Sequence, residues 1–428
     1  LTKVYNIKNR NMYKYNIEKR HNNNNNKKNM FIITCYVIII NVHNVLSASA
    51  SSSSPLLNNV IRIQNLENNI ISIRAPEAKI GGADDVIINL ENNKGIKDAG
   101  FRCHAYDLRP ALKQDVHVVQ IKPFVSALTN EADVIHHMDI FTCQPSIETS
   151  FPNGWKERND WCAMEQFIND QSCIQMIWAY DRGALTYKFP PEAGIRLGPT
   201  VGFTHLMLQI HYLLPKGYIV GKGDGFLDSS GFDLYTDVPR NVDSHLFGFL
   251  DQGLLLPPQK NKFKFSVHLS SVDLAMLVGP DMAHFGEVQP FAVHLHAHDH
   301  GKALWLEHFR FGRKIGEYAS IDPFHGYGRD QTFIHVPKNA PPLRPGDSLT
   351  FHCIFDTRDT DSPINYGVSH GDEMCAPLIL YFPHLKEHTV NNVKVWDEHI
   401  YKKDASEEKV RKVLKEKFSN FEFRNHHS

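Results

Sequence analysis

Long apolar runs are scarce in this chain of 428 residues, and so is any excess of one charge. The most apolar stretch, residues 31–40, covers about half of the ~20 residues that a bilayer-spanning helix requires. No later segment resembles a membrane span. Lys and Arg number 46 against 47 Asp and Glu, so no summed field draws the chain onto nucleic acid or an anionic membrane. A small, locally recognised substrate fits that balance better. Long amphipathic helical periods are absent between Val60 and about Pro383, and no internal repeat is visible.

Cysteine is sparse: seven residues, one of them, Cys35, inside an expected leader. Residues 1–29 are rich in Asn, Lys and Tyr and cannot bury a core, so they are read as a low-complexity, non-native leader. Met30 is then the expected initiator. Residues 30–50 join an apolar run to the small stretch Ser47-Ala48-Ser49-Ala50, the pattern of a secretory signal. The expected location is therefore secreted or in the secretory-pathway lumen, with no membrane span in the mature chain. The remaining cysteines are Cys103, Cys143, Cys162, Cys173, Cys353 and Cys375. An even set in a secreted chain suggests disulfides, although spacing alone does not choose the pairing. Four lie in the first half and two in the second, as two separately stapled domains would have them.

What is present is a succession of short β-branched and aromatic runs, for example at 116–121, 205–211, 263–268 and 378–382, mostly separated by Gly, Pro, Asn or Asp. Such a pattern predicts an all-β protein of sandwiches or barrels rather than βαβ units. The length suits two domains, because single cores stop growing near ~250 residues. The expected organisation is a first domain at 59–238, a second at 239–390, and a charged tail at 391–428 with a short helix at 406–418.

Histidine is abundant at 25 residues. The densest group is Val293-His294-Leu295-His296-Ala297-His298-Asp299-His300. Side chains two apart on a strand share a face, so a His-x-His pair presents two imidazoles toward one point. That geometry suits Zn, Cu, Ni or Fe equally. His136-His137 is weaker evidence, because adjacent residues on a strand point to opposite faces. His211, at the end of Leu208-Gln209-Ile210-His211, is by itself the pattern of a satisfied polar group, and Met374 by itself that of core filling. If Met374 joins two imidazoles, its thioether favours Cu(I); a third His or a carboxylate would suit Zn or non-haem Fe. Gly367-Val368-Ser369-His370-Gly371 satisfies the nucleophile-elbow pattern of serine hydrolases, but no strand–turn–helix context is expected around it.

Taken in order, His136-His137-Met138…Cys143, Leu208-Gln209-Ile210-His211-Tyr212, His296-Ala297-His298-Asp299-His300-Gly301-Lys302 and Glu373-Met374-Cys375 resemble the signature blocks of the copper type II, ascorbate-dependent monooxygenases. That family includes the peptidylglycine α-hydroxylating enzymes and the dopamine and tyramine β-hydroxylases. The resemblance implies two copper ions per chain, ascorbate as electron donor and O2 as co-substrate. It places His136, His137 and His211 on an electron-relaying copper, and His296, His298 and Met374 on the copper where O2 meets substrate. It further implies the cystines Cys103–Cys162, Cys143–Cys173 and Cys353–Cys375, and two β-sandwich (jelly-roll-like) domains facing each other across a solvent-filled cleft.

Gln209 matches the peptide-hydroxylating branch, so the implied substrate is the glycine α-carbon of glycine-extended peptides, the first step of peptide amidation, with a separate lyase acting on the product. Against this, the branch's carboxylate-binding Arg, Asn and Tyr positions are His294, Ala376 and Leu378 here, and imidazole does not reproduce a guanidinium fork. The alternatives are an arylalkylamine β-hydroxylase and a non-catalytic copper-binding homologue; a zinc hydrolase using the His cluster is a third class.

Overall fold

A computed structural model describes residues 60–64, 66–82, 98–126, 134–150, 173–181, 184–213, 224–326, 331–367, 371–385 and 393–396. The expected leader, signal and terminal helix, together with Cys35, Cys162 and Ser369 of the elbow pattern, lie outside these residues.

The short apolar runs become antiparallel strands, as β-branched and aromatic residues on a half-buried pleat favour. In the N-terminal half, strands Val60–Arg62, Asp98–Asp107, His205–Leu213, Ile135–Cys143 and Cys173–Asp181 lie side by side in that order. His205–Leu213 is central, flanked by Asp98–Asp107 and Ile135–Cys143, and its residues are buried on both faces of the sheet. The face turned inward packs on strands Ile70–Arg74, Val116–Phe124 and Gly231–Asp237 through Ile71, Val118, Ile121, Trp178, Leu208 and Phe232.

The C-terminal half repeats the plan. Strands Phe263–Leu269, Asp347–Phe355, Gly301–Arg310 and Arg313–Ile321 form a four-stranded sheet. It closes over Val242–Asp251, Cys375–His384 and Gln289–Ala297, with Phe247, Leu295, Leu304, Phe351 and Ile379 between the layers. The protein is thus all-β, built of two tandem antiparallel sandwiches. A single sheet nevertheless runs through both, because Val242 and Asp243 pair in parallel with Ala193 and Gly194. The seam is braced by ions: Arg196 donates to both oxygens of Asp243 at 2.9 Å, and His117 Nε2 lies 2.9 Å from Asp243 Oδ1.

One element departs from the sequence expectation. Ser271–Phe285 is a 15-residue α-helix packed against Asp347–Phe355 and Cys375–His384. Its N-cap is Ser270, whose hydroxyl accepts the Asp273 amide, and it buries Leu274, Leu277, Val278, Asp281 and Met282. That spacing is helical, but Pro280 and Gly279 inside it read as breakers. Packing and the cap outweigh the lost hydrogen bond. Among the described residues no helix is long and apolar enough to cross a membrane.

Candidate metal centres

His136 and His137 begin strand Ile135–Cys143, beside His211 on the central strand. The strand register places His137 opposite His211 and Ile135 opposite Tyr212, so His136 is an extra residue in a β-bulge. Bulges re-aim side chains, and here the bulge overturns the alternation expected for adjacent histidines. Both rings turn to the same side, with His136 Nδ1 only 2.8 Å from His137 Nδ1. Two imidazole nitrogens that close must share a proton or a cation. One nitrogen from each of His136, His137 and His211 lies within 4.8 Å of the others. Phe101 stacks on His211 at 4.0 Å and fixes that ring's plane. Burial, and then the neighbouring imidazoles of His137, His211 and His298, hold His136 well below the usual histidine range, so it stays neutral and ready to ligate.

The second group lies at the end of strand Gln289–Ala297. A turn closed by the Gly301 amide on the His298 carbonyl, 3.2 Å, reverses the chain after His298. A side chain at Gly301 would meet Ala297 Cβ at 2.9 Å and the Phe324 ring at 3.0 Å, so this reversal requires glycine. His296 Nδ1 lies 2.6 Å from Gln331 Oε1, and His298 Nδ1 lies 2.8 Å from the Asp372 carbonyl. With each Nδ1–H turned to an oxygen, Nε2 is the nitrogen presented in the other direction, the arrangement that fixes ligating imidazoles. Burial and the charge of His296 push His298 well down. His296 moves up despite burial, because Asp181 and Gln331 stabilise its charged form.

Met374 precedes strand Cys375–His384, which pairs with Gln289–Ala297 so that Ala297 faces Cys375 and His296 faces Ala376. Met374 therefore emerges at the level of His298. It is half-buried and belongs to neither hydrophobic core. Cys375 bonds Cys353, and Cys143 bonds Cys173. Cys103 is also disulfide-bonded. Gln209 is buried on the central strand opposite Asp139 and Cys103.

The two histidine groups meet. The His136 and His298 ring centroids are 6.1 Å apart, and the two residues are only 0% and 2% exposed. The cleft expected between the sandwiches is closed at this point. The other two histidines of the dense run serve elsewhere: His300 Nδ1 lies 3.6 Å from Glu373, whose hydrogen bond raises its pKa, and His294 Nε2 lies 3.0 Å from Asp181.

Asp181, Gln331 and Glu373 went unassigned in the sequence because their roles depend on pairings far away along the chain. Only Glu373, inside the Glu-Met-Cys block, carried a local signal. A third group with ligand spacing, Asp107, Glu148 and His205, already holds a cation, since Arg109 is ion-paired to both carboxylates.

Buried, convergent imidazoles on paired β-sandwiches, with the backbone of Met374 at the level of His298, define a class of metal-dependent protein. Residues 89–218 match the model of the copper type II ascorbate-dependent monooxygenase N-terminal domain, and residues 247–401 match that of the C-terminal domain. The chain belongs to this family, whose members depend on copper and ascorbate. Curated relatives include DBH-like monooxygenase protein 1 of Homo sapiens, 25% identical over 68% of this chain and 45% of that protein. Tyramine beta-hydroxylase of Caenorhabditis briggsae is 27% identical over 62% and 42%. Dopamine beta-hydroxylase of Equus caballus is 26% identical over 79% and 52%. The chain spans about half the length of these relatives.

Proposed function

We propose that the chain uses O2 and ascorbate to hydroxylate an unactivated C–H bond, with two coppers held by different donor sets. His136, His137 and His211 hold the ion that receives electrons; His296, His298 and Met374 hold the ion where O2 and substrate meet. The observation that carries this reading is the 6.1 Å approach of His136 to His298, which brings the three-imidazole group against the pair His296 and His298. When bound, copper supplies one-electron transfer and oxygen activation. The chain supplies neutral imidazoles at His136 and His298, rings locked by Gln331 and Asp372, and a buried setting that excludes bulk water.

For the substrate we favour an arylalkylamine over the glycine-extended peptide. A terminal carboxylate needs a bidentate cation, and the position expected to supply it is His294, 1% exposed and already 3.0 Å from Asp181. The relatives named for dopamine and tyramine support the amine reading. Gln209 supports the peptide reading, in which a separate lyase would finish amidation. The cystines support a secreted or luminal location.

The test is ascorbate-dependent O2 consumption by the copper-loaded chain with tyramine, dopamine and a glycine-extended peptide in parallel. Turnover of an amine is expected. Turnover of the peptide alone overturns the substrate reading, and none with any of them favours a copper carrier.

A further inference from the structure

We propose that Asp181, His294, His296 and Gln331 form a separate site for one divalent cation of the zinc class, a clamp that joins the two halves of the molecule. Asp181 ends strand Cys173–Asp181 of the first half; His294 and His296 share a face of Gln289–Ala297 in the second, their ring centroids 6.0 Å apart. Asp181 Oδ2 lies 3.0 Å from His294 Nε2 and 3.6 Å from His296 Nδ1. One ligand atom from each of these three residues lies within 4.8 Å of the others. Gln331 Oε1 approaches the same His296 Nδ1 at 2.6 Å and is aimed there by its amide, which donates to the Ala297 carbonyl at 3.0 Å.

Hydrogen bonds leave this cluster incomplete. Asp181, His294 and Gln331 are 2%, 1% and 0% exposed, yet Asp181 Oδ1 and both ring nitrogens of His294 make no hydrogen bond of normal geometry. Buried polar atoms in that condition are costly. A cation among them would satisfy the carboxylate and His294 Nε2 together. Two imidazoles, a carboxylate and an amide oxygen, with no sulfur, are a borderline set that suits tetrahedral Zn2+ rather than Cu(I). The clamp uses Nδ1 of His296, whereas the proposed copper site uses Nε2, so both sites can be filled at once. The cation takes the place of the Nδ1 proton, which passes to solvent. The proposal does not depend on the copper assignment.

The probe is Co2+, titrated anaerobically into the full chain loaded with Cu(I), whose filled d shell leaves the visible spectrum to cobalt. One Co2+ per chain, with tetrahedral d–d absorption and a raised melting temperature, is expected. Asp181→Asn and His294→Gln should each weaken Co2+ binding at least about tenfold, while Met374→Ala should retain it. No cobalt taken up by the wild type, or undiminished uptake in both clamp variants, overturns the proposal. If Asp181→Asn does not fold, His294→Gln decides alone, its melting curve showing that it is folded. Copper content measured on the same samples separates loss of the clamp from failure of the copper reading.

Discussion

Glu373 holds His298 by its backbone: Oε2 accepts the His298 amide at 2.9 Å and also the Met374 amide at 3.1 Å. Oε1 accepts the His300 amide at 2.9 Å. One fully buried carboxylate therefore ties the turn that carries His298 to the segment that carries Met374. A flexible thioether becomes a usable ligand only when its backbone is fixed in this way.

Glu373→Gln replaces one acceptor oxygen by an NH2 group that faces a backbone N–H. Copper affinity at the His296/His298 group should fall about 10–100-fold, the range seen when outer-shell partners are removed. Binding at His136, His137 and His211 should be unchanged. Competition with a Cu(I) chelator measures both, and equal affinity in the variant contradicts the role given to Glu373.

Met374→Ala should abolish turnover and leave the three-imidazole group loaded. Oxygen consumption and copper content on one preparation test this together. Full activity would remove Met374 from the site.

Much of this was legible in the sequence, for identifiable reasons. Short apolar runs such as 205–211, set off by turn residues, announced an all-β architecture, and the spacing of His294 and His296 announced one shared strand face. His136-His137 looked weak because a β-bulge has no local spelling; it exists only in the pairing of His137 with His211 and Ile135 with Tyr212. The helix Ser271–Phe285 was hidden by Pro280, although Ser270 and Asp273 spell its cap. Asp181 and Gln331 are ordinary residues that matter only because the fold brings them to His296, Asp181 from a strand of the first half and Gln331 from the segment before strand Phe333–His335.

Asp347 gives the acid limb of stability a definite residue. It is fully buried and bound by His308 at 2.8 Å, by Arg310 at 2.7 and 2.8 Å, and by the Arg344 amide at 2.8 Å. Burial alone would raise its pKa, but these partners, Arg310 foremost, hold it below the ordinary 3.8. A carboxyl depressed in the folded state stabilises above its unfolded pKa, and loses that contribution as pH falls through the folded value. Asp347→Asn should cost about 3–5 kcal/mol at neutral pH by leaving Arg310 without its partner. Its deficit should shrink in acid below the ordinary carboxylate range. Urea unfolding at neutral and acid pH checks both, and a deficit that does not change with pH contradicts the assignment.

The Cys353–Cys375 bond closes a loop of sequence separation 22 next to Met374. Removing it as Cys353→Ala/Cys375→Ala should cost about 3 kcal/mol through the larger entropy of the unfolded chain. Equal melting temperatures for wild type and double variant would count against that contribution.

X-ray absorption at the copper edge of the reduced, copper-loaded chain tests the central claim most directly. The expected result is two coppers per chain, with a copper–sulfur shell present in the wild type and gone in Met374→Ala. A chain that takes up zinc but no copper, or copper seen only by nitrogen and oxygen, would contradict it.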